Sequence, residues 1–125
     1  MNGLEKSSIC AFVATANAGA SRHFYENALG LTFISDEEYA LVFEANGTTL
    51  RIQKVAEVVP KQYTSLGWHV ADITAAVTSL AANGVKFERY DFMQPDELGI
   101  VTFPEGARVA WFKDPDGNLL SLDQY

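Results

Sequence analysis

Residues 112–118 of this chain, FKDPDGN, form a turn in which each of the last five residues has a conformational reason to be present. Proline fixes φ, glycine accepts the left-handed conformation, and aspartate and asparagine side chains hydrogen-bond to nearby backbone groups. The flanking segments, ARVAWFKD (107–114) and LLSLDQY (119–125), are rich in apolar and aromatic residues, which predicts strands. The chain is therefore predicted to end in a β-hairpin whose register is set by this turn.

The segments before this hairpin complete a pattern of one strand, one helix and three strands. LGWHVA (66–71) predicts a strand, and Asp72 or Thr74 is a plausible N-cap for the helix that ends at Asn83-Gly84. VKFERY (85–90) predicts the next strand, before an irregular segment that contains Pro95 and Gly106. An apolar stripe at helical spacing supports the helix: Ile73, Ala76, Val77, Leu80 and Ala81.

The first half of the chain shows the same order of elements. SICAFVAT (8–15) predicts a strand, and Ser21–Leu29 predicts a helix that Gly30 ends in the left-handed conformation. Three strands are predicted to follow, in LTFISDEE (31–38), YALVFEA (39–45) and TTLRIQKV (48–55). Asn46-Gly47 between the last two is a strong hairpin signal. We therefore predict an α+β fold of two β-α-β-β-β units, residues 7–54 and 65–125, joined by the linker 55–64, with curved sheets around a cavity.

Composition limits the classes of function. With 125 residues, 48% of them hydrophobic, residues 1–125 suit a single domain. No apolar run approaches the ~20 residues of a membrane span, and the N-terminus lacks the features of a secretory signal. The formal charge of −7 disfavours a nucleic-acid or anionic-membrane partner and is compatible with a cationic or neutral ligand. Because one cysteine, Cys10, cannot form an intramolecular disulfide, we expect a cytoplasmic location.

Three motifs carry a resemblance to a known family. They are Ser21-x-x-Phe24-Tyr25-x-x-x-Leu29-Gly30, Val70-x-Asp72-Ile73 before the second helix, and Phe112-x-Asp114-Pro115-Asp116-Gly117-Asn118. Together with the paired units they resemble the vicinal oxygen chelate superfamily, which includes glyoxalase I, ring-cleaving dioxygenases, fosfomycin-inactivating thiol transferases and bleomycin resistance proteins. The resemblance covers nearly the whole chain and implies a glyoxalase-like fold. It does not select one activity.

The resemblance also locates the positions of the family's metal ligands. Metal-using members carry His or Gln on the first strand of each unit and Glu on the last. Counting from Asn17 and Asp72, and from the apolar pairs 50/52 and 120/122, the counterparts are Cys10, Arg51, Ser65 and Ser121. Two hydroxyls, a thiol and a guanidinium do not form a zinc, nickel, manganese or iron site, because such a site needs several carboxylate, imidazole or thiolate donors. We therefore expect no metal and no other cofactor.

Strand alternation predicts which other residues share the face of these four positions. Phe12, Ala14, Gln53, Gly67, His69 and Leu119 follow by parity, and Trp111 and Val109 follow from the family's strand before the Asp-Pro-Asp-Gly turn. Such a composition suits a small, partly aromatic organic molecule. The predicted ligand-binding residues are Cys10, Phe12, Arg51, Gln53, His69, Trp111, Leu119 and Ser121.

Individual side chains in this set allow more than one role. His69 is either a ligand contact, including a general base, or a structural histidine bonded to a carbonyl or carboxylate. Arg51 needs an anionic partner, which is either a ligand group or a nearby Asp or Glu. Cys10 is expected to be a small buried hydrophobe rather than a nucleophile. His23 is expected to face solvent, and Trp68 to pack beneath the second helix.

Three functional hypotheses remain open. The leading one is metal-independent sequestration of a small molecule, similar to the bleomycin resistance proteins, by an isologous homodimer. The alternative is a metal-free isomerase or lyase with His69 as general base and Arg51 as the partner of an oxyanion. The third is a regulatory ligand-binding module. An inward Arg51 near His69 would favour the enzyme. A pocket closed by Trp111 and Phe12 would favour a structural role. An acidic groove between subunits would favour sequestration of a cationic drug.

Overall fold

The two halves of the chain form two four-stranded sheets with the same strand order. The computed structural model describes residues 3–125. The first sheet contains β1 (Cys10–Thr15), β2 (Thr32–Asp36), β3 (Ala40–Ala45) and β4 (Thr48–Lys54), in the order β1-β4-β3-β2. The second contains β5 (Leu66–His69), β6 (Val101–Thr102), β7 (Arg108–Lys113) and β8 (Leu119–Gln124), in the order β5-β8-β7-β6. In each sheet the first strand runs parallel to the last and the other pairs are antiparallel, which confirms the predicted α+β fold class.

Each half contributes one main helical segment. Helix α1 (Ala18–His23) continues into a π-helical turn, Phe24–Ala28, and Gly30 follows with φ +74°. The predicted start at Ser21 is wrong, because Asn17 caps the helix: its side-chain oxygen accepts the Ala20 N–H at 3.2 Å. Helix α2 (Ile73–Ala82) begins as predicted, with the Asp72 carboxylate accepting from the Ala75 N–H at 3.1 Å. Within residues 3–125, no helix has the length and apolarity needed to cross a membrane.

The core lies between the helices and one face of each sheet. Alternate residues of β4 and β8, Leu50 and Ile52 with Leu120 and Leu122, are buried in it. Trp68 packs against the same core, the side of the sheet on which it was predicted, and stacks on Phe112 with 6.3 Å between ring centroids. The opposite face of each sheet therefore carries the other parity, which includes every predicted site residue.

The predicted strand at 85–90 is wrong. Only Phe87 pairs with β7, through a single bridge to Phe112, and the strand at that edge is β6. The physical reason is that two segments share the outer edge of β7. Val101–Thr102 pairs with one end of β7, and Glu88 donates its N–H to the Trp111 carbonyl near the other at 2.8 Å. Residues between these two contacts leave the sheet and form a separate wall.

The turn at 114–118 fastens the second half to the end of β1. The Asp116 carboxylate accepts hydrogen bonds from the Thr15 hydroxyl at 2.5 Å and from the Ala16 N–H at 2.8 Å. The Asn118 side-chain amide donates to the Ala14 carbonyl at 2.8 Å. Gly117 adopts φ +85°, the conformation predicted for this turn. The hairpin therefore sets the register of its own strands and also connects the two halves.

Candidate functional site

A cavity of about 590 Å³ lies on the face of the second sheet that is turned away from the core. This volume is within the range of small-molecule sites. We name it the Trp111 cavity. Its lining comes from the linker, from residues 88–93, and from the hairpin of β7 and β8: Lys61, Gln62, Tyr63, Thr64, Glu88, Tyr90, Phe92, Met93, Trp111, Lys113 and Leu119.

The linker is held over β8 at both of its ends. Pro60 packs against the turn so closely that a Cβ on Gly117 would lie 3.0 Å from the proline Cγ. At the other end, the Ser65 N–H donates to the Leu119 carbonyl at 2.8 Å. Residues 61–64 therefore form one side of the Trp111 cavity, although they belong to no helix or strand.

The opposite side is the segment that leaves the sheet after residue 88. A short 3₁₀ turn, Asp91–Met93, follows Tyr90, and Gln94 ends it with φ +55°. The Tyr90 ring meets the Trp111 ring edge to face, with 5.6 Å between centroids and 76° between planes. This contact places an aromatic wall at a steep angle to Trp111, so the cavity presents two differently oriented ring surfaces to a ligand.

Three of the predicted site residues lie at or beside this cavity. Trp111 and Leu119 line it. Ser121 is buried on the same face, paired with Trp111 across β7 and β8 and with Gly67 across β5 and β8. A Cβ on Gly67 would lie 2.7 Å from the Ser121 Oγ, so the absence of a side chain at Gly67 makes room for the serine hydroxyl. Ser121 therefore supports the floor of the cavity without lining it.

Four predicted residues lie elsewhere, on the corresponding face of the first sheet. Cys10, Phe12, Arg51 and Gln53 belong to β1 and β4 and do not line the Trp111 cavity. The expectation of a buried Cys10 is wrong, because this face carries no covering segment at its position and the thiol side chain is exposed. Phe12 is 50% exposed, so it does not close the cavity against Trp111.

Arg51 has a carboxylate partner within the protein. Its Nη2 lies 3.0 Å from Oε1 of Glu37, and the other carboxylate oxygen, Oε2, accepts a hydrogen bond from the Ser35 hydroxyl. The Arg51 hydrogen bond is the main cause that lowers the pKa of Glu37, and Ser35 adds to it. Of the two partners predicted for Arg51, the structure contains the intramolecular one.

His69 lies at the exposed end of β5, with 80% of its side chain accessible. Its Nδ1 is hydrogen-bonded to the Asp123 carboxylate, and its ring meets Tyr125 edge to face at 5.6 Å. It borders two smaller cavities near Asn46 and not the Trp111 cavity. The carboxylate partners of His69 and Arg51 are therefore different residues: Asp123 is on β8, and Glu37 lies in the turn between β2 and β3. His23 is exposed, as predicted.

The donor set at the four metal-ligand positions does not suit a divalent cation. Arg51 has no lone pair to donate and already binds Glu37, and Ser121 is buried beside Gly67. Across the part of the chain that the structure describes, no group of three His, Cys, Asp or Glu side chains could hold a metal ion. The metal chemistry of the superfamily has no matching ligands at these positions.

Most of the cavity lining comes from residues that strand parity could not reach. Tyr63 and Phe92 are 64% and 86% exposed and lie in irregular segments, where alternation predicts no facing. A usable signal was present, since large aromatic residues in irregular segments near Pro60 and Pro95 have no core helix or strand to bury them. Such residues are candidates for contact with a ligand or partner.

Solved structures with the same fold have low sequence identity to this chain. A glyoxalase family protein from Enterococcus faecalis has a TM-score of 0.74 at 19% identity, over 97% of this chain and 99% of its own. A member of the glyoxalase/bleomycin resistance protein/dioxygenase superfamily from Sphaerobacter thermophilus DSM 20745 has a TM-score of 0.73 at 23% identity, over 94% of this chain and 96% of its own. Lactoylglutathione lyase from Agrobacterium tumefaciens has a TM-score of 0.71 at 16% identity, over 94% of this chain and 93% of its own. At these identities the likeness establishes the fold alone.

The family comparison agrees with the topology and with the turn motif. No curated protein is similar enough to the chain to count as a match. The model of the Glyoxalase/Bleomycin resistance protein/Dioxygenase superfamily matches residues 9–122, which include both sheets except the last residues of β8. Since this match spans nearly the whole sequence, the chain belongs to the glyoxalase/bleomycin resistance protein/dioxygenase superfamily.

Proposed function

We propose that the chain binds a small, partly aromatic organic molecule in the Trp111 cavity and sequesters it without converting it, as bleomycin resistance proteins do. The observation that carries this proposal is the cavity itself, about 590 Å³, whose walls combine aromatic and aliphatic side chains with several polar and charged ones. Trp111 and Tyr90 offer ring surfaces on which a flat molecule can stack, and Leu119 provides an apolar floor. Burial of apolar ligand surface against them supplies the main driving force for binding.

Binding is proposed to need no divalent metal. The four positions that correspond to the superfamily's ligands hold Cys10, Arg51, Ser65 and Ser121, and a guanidinium there repels a cation. The Trp111 cavity offers one carboxylate, Glu88, which is paired with Lys113 at 3.3 Å. A single, partnered carboxylate is a poor basis for a metal site.

A metal-free isomerase or lyase is the second candidate, and the hydrogen bond between His69 and Asp123 favours it. A carboxylate at Nδ1 orients an imidazole and fixes its tautomer, which leaves Nε2 as the proton acceptor. Two observations weigh against this role. Arg51, the proposed oxyanion partner, is bound to Glu37, and neither Arg51 nor His69 borders the Trp111 cavity. Binding without turnover is therefore the preferred function.

We further propose that the chain forms an isologous homodimer over the open face of its first sheet. Phe12 is half exposed at the centre of β1, and Cys10 is exposed at its start. Exposed apolar side chains on a sheet face are typical of association surfaces. A second copy seated on the same face would cover these residues, as the two-fold symmetry of such a dimer requires.

A thermal-shift screen tests the proposed binding. A panel of aromatic small molecules and glycopeptide drugs is added to the protein, with and without a chelator. A ligand at 100 times its dissociation constant adds about 2.7 kcal/mol to the free energy of unfolding. We expect at least one compound to raise Tm equally in both conditions, and Trp111→Ala to remove the increase. Tyr39→Ala, an exposed aromatic outside the cavity, is the matched control.

The same screen separates the competing functions. Recovery of the bound compound unchanged by mass spectrometry supports sequestration, whereas a product that disappears in His69→Asn would establish the enzyme. Stabilisation by nickel or zinc that a chelator reverses would contradict the metal-independent proposal. A panel that raises Tm in Trp111→Ala as much as in the parent protein would exclude this cavity as the site.

A further inference from the structure

The charge around the Trp111 cavity is opposite to that of the whole chain. The sequence has nine Lys and Arg against sixteen Asp and Glu. The cavity is lined by two lysines, Lys61 and Lys113, and by a single carboxylate, Glu88. An acidic chain thus places a local excess of positive charge around this cavity, which attracts anions in preference to cations.

The two lysines come from different segments of the lining. Lys113 is on β7, two residues beyond Trp111, and its Nζ lies 3.3 Å from Oε1 of Glu88. That pair is partly exposed, so its own attraction is weak and water or a ligand competes for the ammonium group. Lys61 is on the linker and, within residues 3–125, has no carboxylate at ion-pair distance. One ammonium group is therefore available without breaking any ion pair of the described chain.

The aromatic residues fix where the apolar part of a ligand would lie. Trp111 and Tyr90 form two steeply inclined ring surfaces, and Phe92 and Tyr63 are exposed on either side of the opening. A planar ring inserted against Trp111 would cover these exposed side chains. An anionic substituent on that ring would have Lys61 and Lys113 as the cationic partners within the same lining.

We infer that the ligand of the Trp111 cavity is a planar aromatic carboxylate, whose ring stacks against Trp111 and whose anionic group is held by Lys61 and Lys113. This inference rests on the proposed small-molecule binding and specifies its chemical class. It replaces the cationic or neutral ligand that the net charge of the chain suggests. The local lining governs selectivity because charges beyond about 8–10 Å are largely screened at physiological ionic strength.

Three naphthalene probes of equal size and different charge test the inference. They are 2-naphthoate, 2-naphthylmethanol and 2-naphthylmethylammonium, each titrated into the ¹⁵N-labelled full chain. The readout is the indole N–H resonance of Trp111, which is assigned by its loss in Trp111→Phe; the indole of Trp68, in the core, is the internal reference. We expect 2-naphthoate to bind about tenfold more tightly than the alcohol, and the ammonium to bind more weakly than both.

Charge-removing variants identify the residues responsible. Lys61→Gln and Lys113→Gln are each expected to weaken 2-naphthoate about threefold to fivefold and to leave the alcohol unchanged. Lys86→Gln, an exposed lysine outside the lining, is the matched control and is expected to change neither. Added salt should weaken the naphthoate only, since screening acts on the charged contact.

The outcomes separate the inference from the function beneath it. Equal or tighter binding of the alcohol or the ammonium at Trp111 would overturn the carboxylate inference and leave small-molecule binding intact. Binding of 2-naphthoate that neither lysine variant weakens would also overturn it. If none of the three probes shifts the Trp111 resonance at millimolar concentration, both the inference and the proposed function of this cavity fail.

Discussion

The Tyr25 hydroxyl donates a buried hydrogen bond of 2.7 Å to Oδ2 of Asp114. The two residues are 89 positions apart and belong to different halves of the chain. Asp114 also accepts the N–H groups of Asp116 and Asn118 on Oδ1 and the Asn118 side-chain amide on Oδ2. The Asp114 carboxylate thus stabilises its own turn and also binds the first half of the protein through the Tyr25 hydroxyl. The contact links two motifs that each carried the family resemblance.

Tyr25→Phe is expected to destabilise the fold by removing this contact. The variant keeps the ring in the core but leaves the buried Asp114 carboxylate with one donor fewer, which costs about 1–3 kcal/mol. For a domain of this size we expect Tm to fall by roughly 3–5 °C per kcal/mol. Denaturant unfolding measures the loss. Tyr39→Phe, which changes an exposed tyrosine, should leave stability unchanged, and an equal loss there would contradict the assignment.

The stability of the fold is expected to fall in alkali because of the same tyrosine. Burial first, and then the charge and hydrogen bond of Asp114, raise the pKa of Tyr25 well above its ordinary value. Above about pH 10 the unfolded chain releases this phenolic proton and the folded chain retains it, so the free energy of unfolding decreases as pH rises. Stability curves from pH 8 to 11 should decline less steeply in Tyr25→Phe. Parallel curves would contradict a Tyr25 that stays protonated.

Local signals in the sequence predicted the elements that depend on local geometry. Gly30, Asn46-Gly47 and Gly117 adopt the positive φ values that their turns require, and Asp72 caps α2. The strand predicted at 85–90 does not form, because two segments share the edge of β7: Val101–Thr102 pairs with one end, and only Phe87 bridges to the other. Long-range pairing, unlike a cap or a turn, is not encoded within a few residues.

The candidate site was predicted in part, for a related reason. Strand parity placed Trp111 and Leu119 on the open face of the second sheet, where they line the cavity. Strand parity gives no information about which part of each open sheet face is covered by other segments of the chain. Covering is decided by residues 61–64 and 88–93, which have little regular structure and therefore no predictable facing. For this reason Arg51 and His69, which have the right parity, lie outside the cavity.

Arg51→Gln is expected to raise the pKa of Glu37 toward its ordinary range. The guanidinium contributes the largest lowering effect and the Ser35 hydroxyl a smaller one, so Ser35→Ala should raise the same pKa by less. A carboxylate with a lowered pKa stabilises the fold above its unfolded pKa and loses that effect as pH falls. The difference in stability between the parent and Arg51→Gln should therefore shrink in acid. A ¹³C titration of the Glu37 carboxyl measures the shift, and the reverse ranking of the two variants would contradict it.

Phe12→Glu is expected to convert the proposed homodimer into a monomer. The side chain is half exposed on β1, and a carboxylate there would be buried without a partner at the interface. Light scattering coupled to size-exclusion chromatography reports the mass of both proteins over a range of concentrations. A glutamate at Tyr39, which is exposed outside β1 and β4, should leave the mass unchanged. A parent protein that is monomeric at all concentrations would refute the dimer.

Gly67→Ala is expected to destabilise the protein, and Ser121→Ala is expected to restore much of the loss. The added Cβ would lie 2.7 Å from the Ser121 Oγ and 3.4 Å from its carbonyl oxygen, so either the hydroxyl or one of the two strands must shift. Overpacking of this kind costs about 1–3 kcal/mol, and removal of the hydroxyl relieves its nearest contact. A double-mutant cycle in urea measures the coupling. Gly19→Ala, where the nearest atom is 3.9 Å away, should be neutral or stabilising; strictly additive effects at 67 and 121 would show that the serine does not require the glycine beside it.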